Sequence, residues 1–209
     1  MRNIAIYIYD DAEVLDFSGP FEVFSTANRL CSPPPFNVFL IAEQLSKVIA
    51  RGGYPLLPHY DISNHPAIDV LVVVGGEHDR QLTNGPVIDW IRQQAAKVPL
   101  VASVCTGAFL LAAAGVLANR RVTTHWQDIA ALAEQYPETT VLDGVRWVDE
   151  GDLITSAGIS AGIDMSLYLV SRLIDMALAV KTARQMEYDW QGRGVVQESP
   201  VEVLSHSEH

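Results

Sequence analysis

Val101-Ala102-Ser103-Val104-Cys105-Thr106-Gly107-Ala108-Phe109 decides the fold: a β-rich apolar run ends at a cysteine, and small residues then open a helix. Such a strand-to-helix elbow pushes the Cys105 side chain out of the sheet edge. The free N–H groups and partial positive charge of a helix N-terminus there favour thiolate over thiol. The competing reading is a buried cysteine acting as a small hydrophobe. The Ser, Thr and Gly around it favour the elbow.

Working outward, Leu100 to Val104 reads as a strand and Gly107 to Leu117 as the apolar helix behind the cysteine. Upstream, Asp69-Val70-Leu71-Val72-Val73-Val74-Gly75-Gly76 is the clearest buried strand, a β-branched run ending in two glycines that imply unusual backbone angles or a close approach. Ile4 to Tyr9 reads as the first strand. Ser18 is a candidate cap for the next helix, with Pro20 in its first turn. Phe36 to Ala42 is a second strand, and Lys47 to Tyr60, broken by Arg51-Gly52-Gly53-Tyr54-Pro55, reads as short extended pieces or a hairpin. Pro86 to Lys97 is helical. Arg121 to His125 gives another strand, Gln127 to Tyr136 another helix, and Thr140 to Thr155 a hairpin around Asp149-Glu150-Gly151-Asp152. Ile163, Leu167, Val170, Ile174 and Ala177 recur at helical spacing, which predicts one long helix from about Ala161 to about Tyr188. Alternating strands and helices predict an α/β fold with a mainly parallel sheet covered on both faces. Residues 1–190 read as one domain and 191–209 as a polar, loose C-terminal tail.

Composition limits the function classes. The 209 residues are 49% hydrophobic and 19% charged, enough for a sizeable core. A formal net charge of −11 with 14 scattered Lys and Arg argues against a nucleic-acid surface, which needs clustered cations. No run approaches the roughly 18 apolar residues of a membrane span, and the N-terminus lacks a signal-peptide pattern. Cys31, beside Ser32-Pro33-Pro34-Pro35, and Cys105 sit in unrelated contexts, so a reduced, cytoplasmic protein is expected rather than a disulfide-stapled one. The histidines lack ligand spacing, and no metal site is expected.

In parallel α/β sheets, ligands gather outside the carboxyl ends of the strands. Asp16 after the first strand, Gly75-Gly76 after the central one and Cys105-Thr106 after the next would share that edge. Each has a plainer role: Asp16 and Thr106 as helix caps, and the glycines as a turn.

Leu15-Asp16-Phe17-Ser18-Gly19-Pro20, Val74-Gly75-Gly76, Ser103-Val104-Cys105-Thr106-Gly107, Thr123-Thr124-His125-Trp126 and Ser156-Ala157-Gly158-Ile159-Ser160-Ala161-Gly162-Ile163-Asp164 together resemble the ThiJ/PfpI superfamily of cysteine-elbow proteins. The resemblance runs from Ile4 to about Tyr188. It is closest to the branch holding isonitrile hydratases and the amidotransferase-like sensor domains of AraC-type regulators. It implies a flavodoxin-like three-layer α/β/α sandwich and a homodimer. It also implies a cofactor-free, cysteine-dependent hydro-lyase that turns an isonitrile, its small-molecule substrate, into an N-substituted formamide through a Cys105 thioimidate. By the same resemblance Cys105 is the nucleophile, Asp16 the acid/base carboxylate and Thr106 a hydroxyl that positions substrate or water. The Gly76 and Thr106 N–H groups would stabilise developing negative charge. Gly75, Phe17, Phe21, His125, Trp126, Gly158 and Ile159 would line the substrate pocket, with Glu22 either in the same cleft or on solvated helix surface. Where protease- and deglycase-like relatives place a histidine directly after the cysteine, this chain has Thr106, which argues against peptidase activity. His125 is either a partner of Cys105 or strand-end packing beside Trp126. The alternatives are a small-molecule sensor domain without the helix-turn-helix of AraC-type regulators, and a redox or stress-response thiol protein.

Overall fold

A computed structural model describes residues 1–190 and 194–196. Its centre is an eight-stranded sheet in the order β12-β10-β11-β7-β6-β1-β2-β5. The inner strands are β1 (Arg2–Tyr7), β2 (Phe36–Ala42), β6 (Val70–Val73), β7 (Leu100–Val104) and β11 (Leu153–Ser156), all parallel to their neighbours in this set. The outer strands are β5 (Tyr60–Asp61), β10 (Trp147–Asp149) and β12 (Gly194–Val196); β10 runs antiparallel to β11. Burial on both faces explains why β6 and β7 are continuous apolar runs rather than alternating ones. A small hairpin pairs β3 (Val48–Ala50) with β4 (Tyr54–Leu56), and β8 (Arg121–Val122) pairs with β9 (Thr140–Val141).

Helices α1 (Val14–Arg29), α6 (Ala161–Leu173) and α7 (Met176–Gln185) pack on one another. So do α2 (Asp79–Leu82), α3 (Gly85–Ala95) and α4 (Gly107–Ala113), while α5 (Ile129–Gln135) lies beside β9. The result is the largely parallel, helix-flanked sheet of a flavodoxin-like fold. Because β1 sits between β2 and β6, the chain leaves β1 to opposite sides, and the crevice at that switch point opens beyond the carboxyl ends of β1 and β6.

Four expectations need correction. Helix α1 begins at Val14, not near Ser18, because Ser18 donates its hydroxyl back to the Val14 carbonyl at 2.7 Å inside the helix and Pro20 is tolerated in the second turn. The predicted long C-terminal helix is two helices. Asp175, in extended backbone, accepts the Leu178 N–H at 2.7 Å and starts α7 anew. Asp175→Ala should therefore lower stability by about 1 kcal/mol in urea denaturation. Helix α4 stops at Ala113, with Gly115 at φ +77° ending it. Strand β8 ends at Val122, because Thr123 and Thr124 divert their hydrogen bonds to Thr155, Leu142 and Cys105. Of the tail expected to be loose, residues 194–196 form edge strand β12 on β10, and the rest lies outside the described residues. Both cysteines are free. Among the described residues, no helix is long and apolar enough to cross a membrane.

Candidate active site

Cys105 follows β7 directly and takes φ +56°, a left-handed conformation that a non-glycine residue adopts only when its surroundings impose it. Here the Ser156 carbonyl accepts the Cys105 N–H at 3.2 Å and the Thr124 hydroxyl donates to the Cys105 carbonyl at 2.8 Å. Gly107 lets α4 lie against β6, since a Cβ there would strike the Val73 carbonyl. The sulfur is thereby fixed at the floor of a cleft of about 310 Å³, lined also by Glu13, Arg51, Gly76, Glu77, His78, Asp79, Thr106, His125, Gln127, Asp128 and Ile159.

Asp16, in the first turn of α1, is fully buried. Its Oδ2 accepts the Gly75 N–H at 3.1 Å, while Oδ1 has no hydrogen-bond partner. Burial pushes its pKa up to about 7, opposed by the Gly75 N–H and, more weakly, by the Cys105 thiol and the Ile159 N–H. Gly75 is a close-approach glycine: a Cβ on it would lie 2.6 Å from the Thr106 nitrogen and 2.9 Å from Asp16 Oδ2. Gly75→Ala should cost about 1–3 kcal/mol and sharply reduce activity, checked by urea denaturation alongside turnover.

The thiol departs from the expectation that the elbow favours thiolate. Burial, with the Asp16 carboxylate beside it, raises Cys105 to about 12, and the N–H groups of Thr106 and Ile159 offset this only in part. Helix α4 is short, and desolvation outweighs its field. The ground state therefore holds a neutral thiol beside a carboxyl poised near neutrality.

The structure engages the Gly76 N–H and the Thr106 hydroxyl with each other. The Gly76 N–H is already donated to Thr106 Oγ1 at 3.0 Å, and that hydroxyl donates in turn to the Gly76 carbonyl at 3.1 Å. Gly76 is thus engaged rather than free for an oxyanion, and Thr106 ties the glycine turn to the elbow instead of holding an unengaged hydroxyl toward substrate. The N–H groups acting on the sulfur are those of Thr106 and Ile159.

The expected pocket residues divide. His125 and Ile159 line the cleft, and Gly158 lies directly under the His125 ring, where a Cβ would collide with it. Phe17 and Phe21 do not line it. They line an apolar groove of about 490 Å³ with Leu15, Leu40, Tyr54, Leu56 and Met186. Glu22 lines that groove too and bonds Thr26 and Arg29 on the helix surface. Trp126 is 71% exposed beside His125 and is not part of the cleft lining.

Sequence reading missed the acidic rim. Arg51, from the turn between β3 and β4, pairs with Glu13 at 3.2 Å and with Glu77, closing one side of the cleft. Asp128 Oδ2 lies 3.3 Å from His125 Nδ1, a pair separated by three residues whose spacing could have been noticed. Nothing in the local sequence linked Arg51 to Glu77.

A flavodoxin-like sheet carrying a strained cysteine after one strand and a buried carboxyl from the first helix defines a cysteine-elbow α/β protein. The family model described as the DJ-1/PfpI family matches residues 2–172, and the chain belongs to that family. It is 36% identical over 189 residues to the isonitrile hydratase of Pseudomonas putida, covering 89% of this chain and 78% of that protein. It is 35% identical over 172 residues to the HTH-type transcriptional regulator CdhR of Pseudomonas aeruginosa, covering 82% of this chain and 51% of that one. The crystal structure of a ThiJ/PfpI family protein from Pseudomonas syringae superposes with a TM-score of 0.81 at 26% identity, covering 98% of this chain and 79% of that chain.

Proposed function

We propose that the protein is an isonitrile hydratase, adding water to an isonitrile to give an N-substituted formamide without a cofactor. The observation that carries this reading is the pairing of the neutral Cys105 thiol with a fully buried Asp16 carboxyl whose Oδ1 is unpartnered and whose pKa is about 7. An isonitrile carbon must gain a proton as it gains a nucleophile, and this pair holds both.

In the first step, ionised Asp16 takes the Cys105 proton and passes it to the isonitrile carbon as the sulfur–carbon bond forms, giving the thioimidate Cys105–S–CH=N–R. In the second, Asp16 removes a proton from water as the water oxygen attacks the thioimidate carbon, and then delivers that proton to the nitrogen, giving Cys105–S–CH(OH)–NH–R. Collapse of the tetrahedral adduct expels the sulfur, which regains its proton and leaves R–NH–CHO. The Thr106 and Ile159 N–H groups face the sulfur and stabilise its negative charge as it leaves. The identity to the Pseudomonas putida hydratase supports the same reaction.

The test is hydration of p-nitrophenyl isocyanide, followed by formamide absorbance. Turnover supports the reading. Saturable binding without turnover would replace it with a small-molecule sensor, which the match to an HTH-type regulator favours as second reading. A thiol raised to about 12 speaks against an oxidation sensor, since peroxide attacks thiolate. The homodimer and the cytoplasmic setting remain parts of the proposal; a sedimentation mass of one 22.9 kDa chain would remove the first.

A further inference from the structure

Ile159 is a β-branched residue at φ +53°, a conformation that such residues avoid, and it lines the cleft with Cys105. Left-handed backbone at such a residue persists only where neighbouring structure over-determines it. The turn from Ala157 to Ser160 is held on three sides. The Ala157 N–H donates to the Arg146 carbonyl at 2.9 Å, the Arg146 Nη2 donates to Ser160 Oγ at 3.3 Å, and the Tyr188 hydroxyl donates to the Ser160 carbonyl at 3.4 Å. Arg146 is itself fixed by Asp164, in the first turn of α6, through an Nε to Oδ2 bond. Asp164 is fully buried and its Oδ1 has no hydrogen-bond partner. A buried carboxylate kept at that desolvation cost is weak evidence for stability, because an apolar replacement often does as well. Its retention calls for a role that an apolar pair cannot fill.

We infer that the ion pair between half-buried Arg146 and buried Asp164 is a positioning device for the site: it clamps the 157–160 turn so that Ile159 stays left-handed and its N–H stays aimed at Cys105. Neither residue touches the cleft lining, so both act through the turn. The inference rests on the proposed use of Cys105 as nucleophile, but its test does not require isonitrile turnover. The guanidinium links the pair to the turn, since it carries the bond to Ser160 as well as that to Asp164.

The experiment measures alkylation of Cys105 by iodoacetamide at pH 8 in the full chain, with Cys31→Ser as background so that one thiol reports. Three further variants are compared: Asp164→Asn, the apolar pair Arg146→Met with Asp164→Leu, and that pair combined with Ile159→Gly. Near-UV circular dichroism selects the variants that keep native packing. The clamp predicts that alkylation slows at least about fivefold in the apolar pair, because loss of the Ile159 N–H leaves the thiolate less stabilised. Ile159→Gly should restore much of the rate, because glycine enters the left-handed region without a clamp. If p-nitrophenyl isocyanide is turned over, kcat should fall in parallel with little change in KM. Unchanged or faster alkylation in a natively packed apolar pair would overturn the inference. So would failure of glycine to rescue a slowed rate. Absence of isonitrile turnover in the wild type, with alkylation behaving as described, removes the hydratase reading and leaves the clamp standing.

Discussion

On the proposed hydratase reading, Cys105→Ala should abolish isonitrile hydration, by at least about 10⁴-fold in kcat, because no other group lining the cleft can form the covalent thioimidate. The fold survives the change. The Cys105 backbone is held by the Ser156 carbonyl and the Thr124 hydroxyl, neither of which involves the sulfur, so the melting temperature moves by no more than a few degrees. If the thioimidate forms, mass spectrometry of the wild type quenched during turnover should show an adduct of one isonitrile on Cys105, absent from the variant. A variant retaining more than a hundredth of wild-type turnover would show that sulfur is not the nucleophile.

Asp16→Asn has two effects of opposite sign. It lowers kcat by about 10²–10⁴-fold, because the amide can neither collect the thiol proton nor activate water. It also removes the pH dependence of the remaining rate. In the wild type the productive dyad carries one proton, on sulfur, with Asp16 ionised. Rate therefore rises with pH through about 7 and then levels, since the thiol titrates only near 12. Stability moves the other way. The folded-state pKa of Asp16 is raised from 3.8 to about 7, so the folded protein binds a proton there that the unfolded chain has already released. The stability tied to this proton is complete below about pH 4 and lost as pH rises through 7, a difference on the order of 4 kcal/mol. Asp16→Asn lacks that slope. Urea denaturation at pH 5 and pH 8 should show the wild type weakening relative to the variant, which makes the carboxyl a functional group retained against stability. Equal slopes for the two proteins would mean that folding does not raise the Asp16 carboxyl toward 7.

Local sequence carried much of this. The β-branched run at Val70–Val73 and the mainly apolar run at Leu100–Val104 read as strands buried on both faces, and their alternation with amphipathic segments leaves a parallel sheet as the economical arrangement. That arrangement alone brings Asp16, Gly75-Gly76 and Cys105 to one edge. Errors came where a backbone group found a side-chain partner that periodicity does not register. Asp175 restarted a helix whose apolar spacing ran on unbroken, and the Thr123 and Thr124 hydroxyls ended a strand early. The resemblance puts Phe17 and Phe21 in the pocket, but they line the groove on another side of α1. A helix turns each residue by about 100°, and these two face away from the carboxyl they flank.

The sequence by itself determined the sheet, the elbow and the convergence of Asp16, Gly75-Gly76 and Cys105 at one edge, since these follow from residue type and short-range pattern. Only the tertiary structure decided the protonation of that carboxyl and thiol. Burying Asp16 and Cys105 side by side moves both pKa values upward and reverses the thiolate expected from a helix N-terminus, because desolvation depends on every element packed around a group. It likewise decided that Gly76 is engaged by Thr106, that Ile159 offers its N–H instead, and that an Arg146–Asp164 pair far along the chain holds that N–H in place. Those facts rest on contacts between residues distant in sequence, which no local pattern encodes.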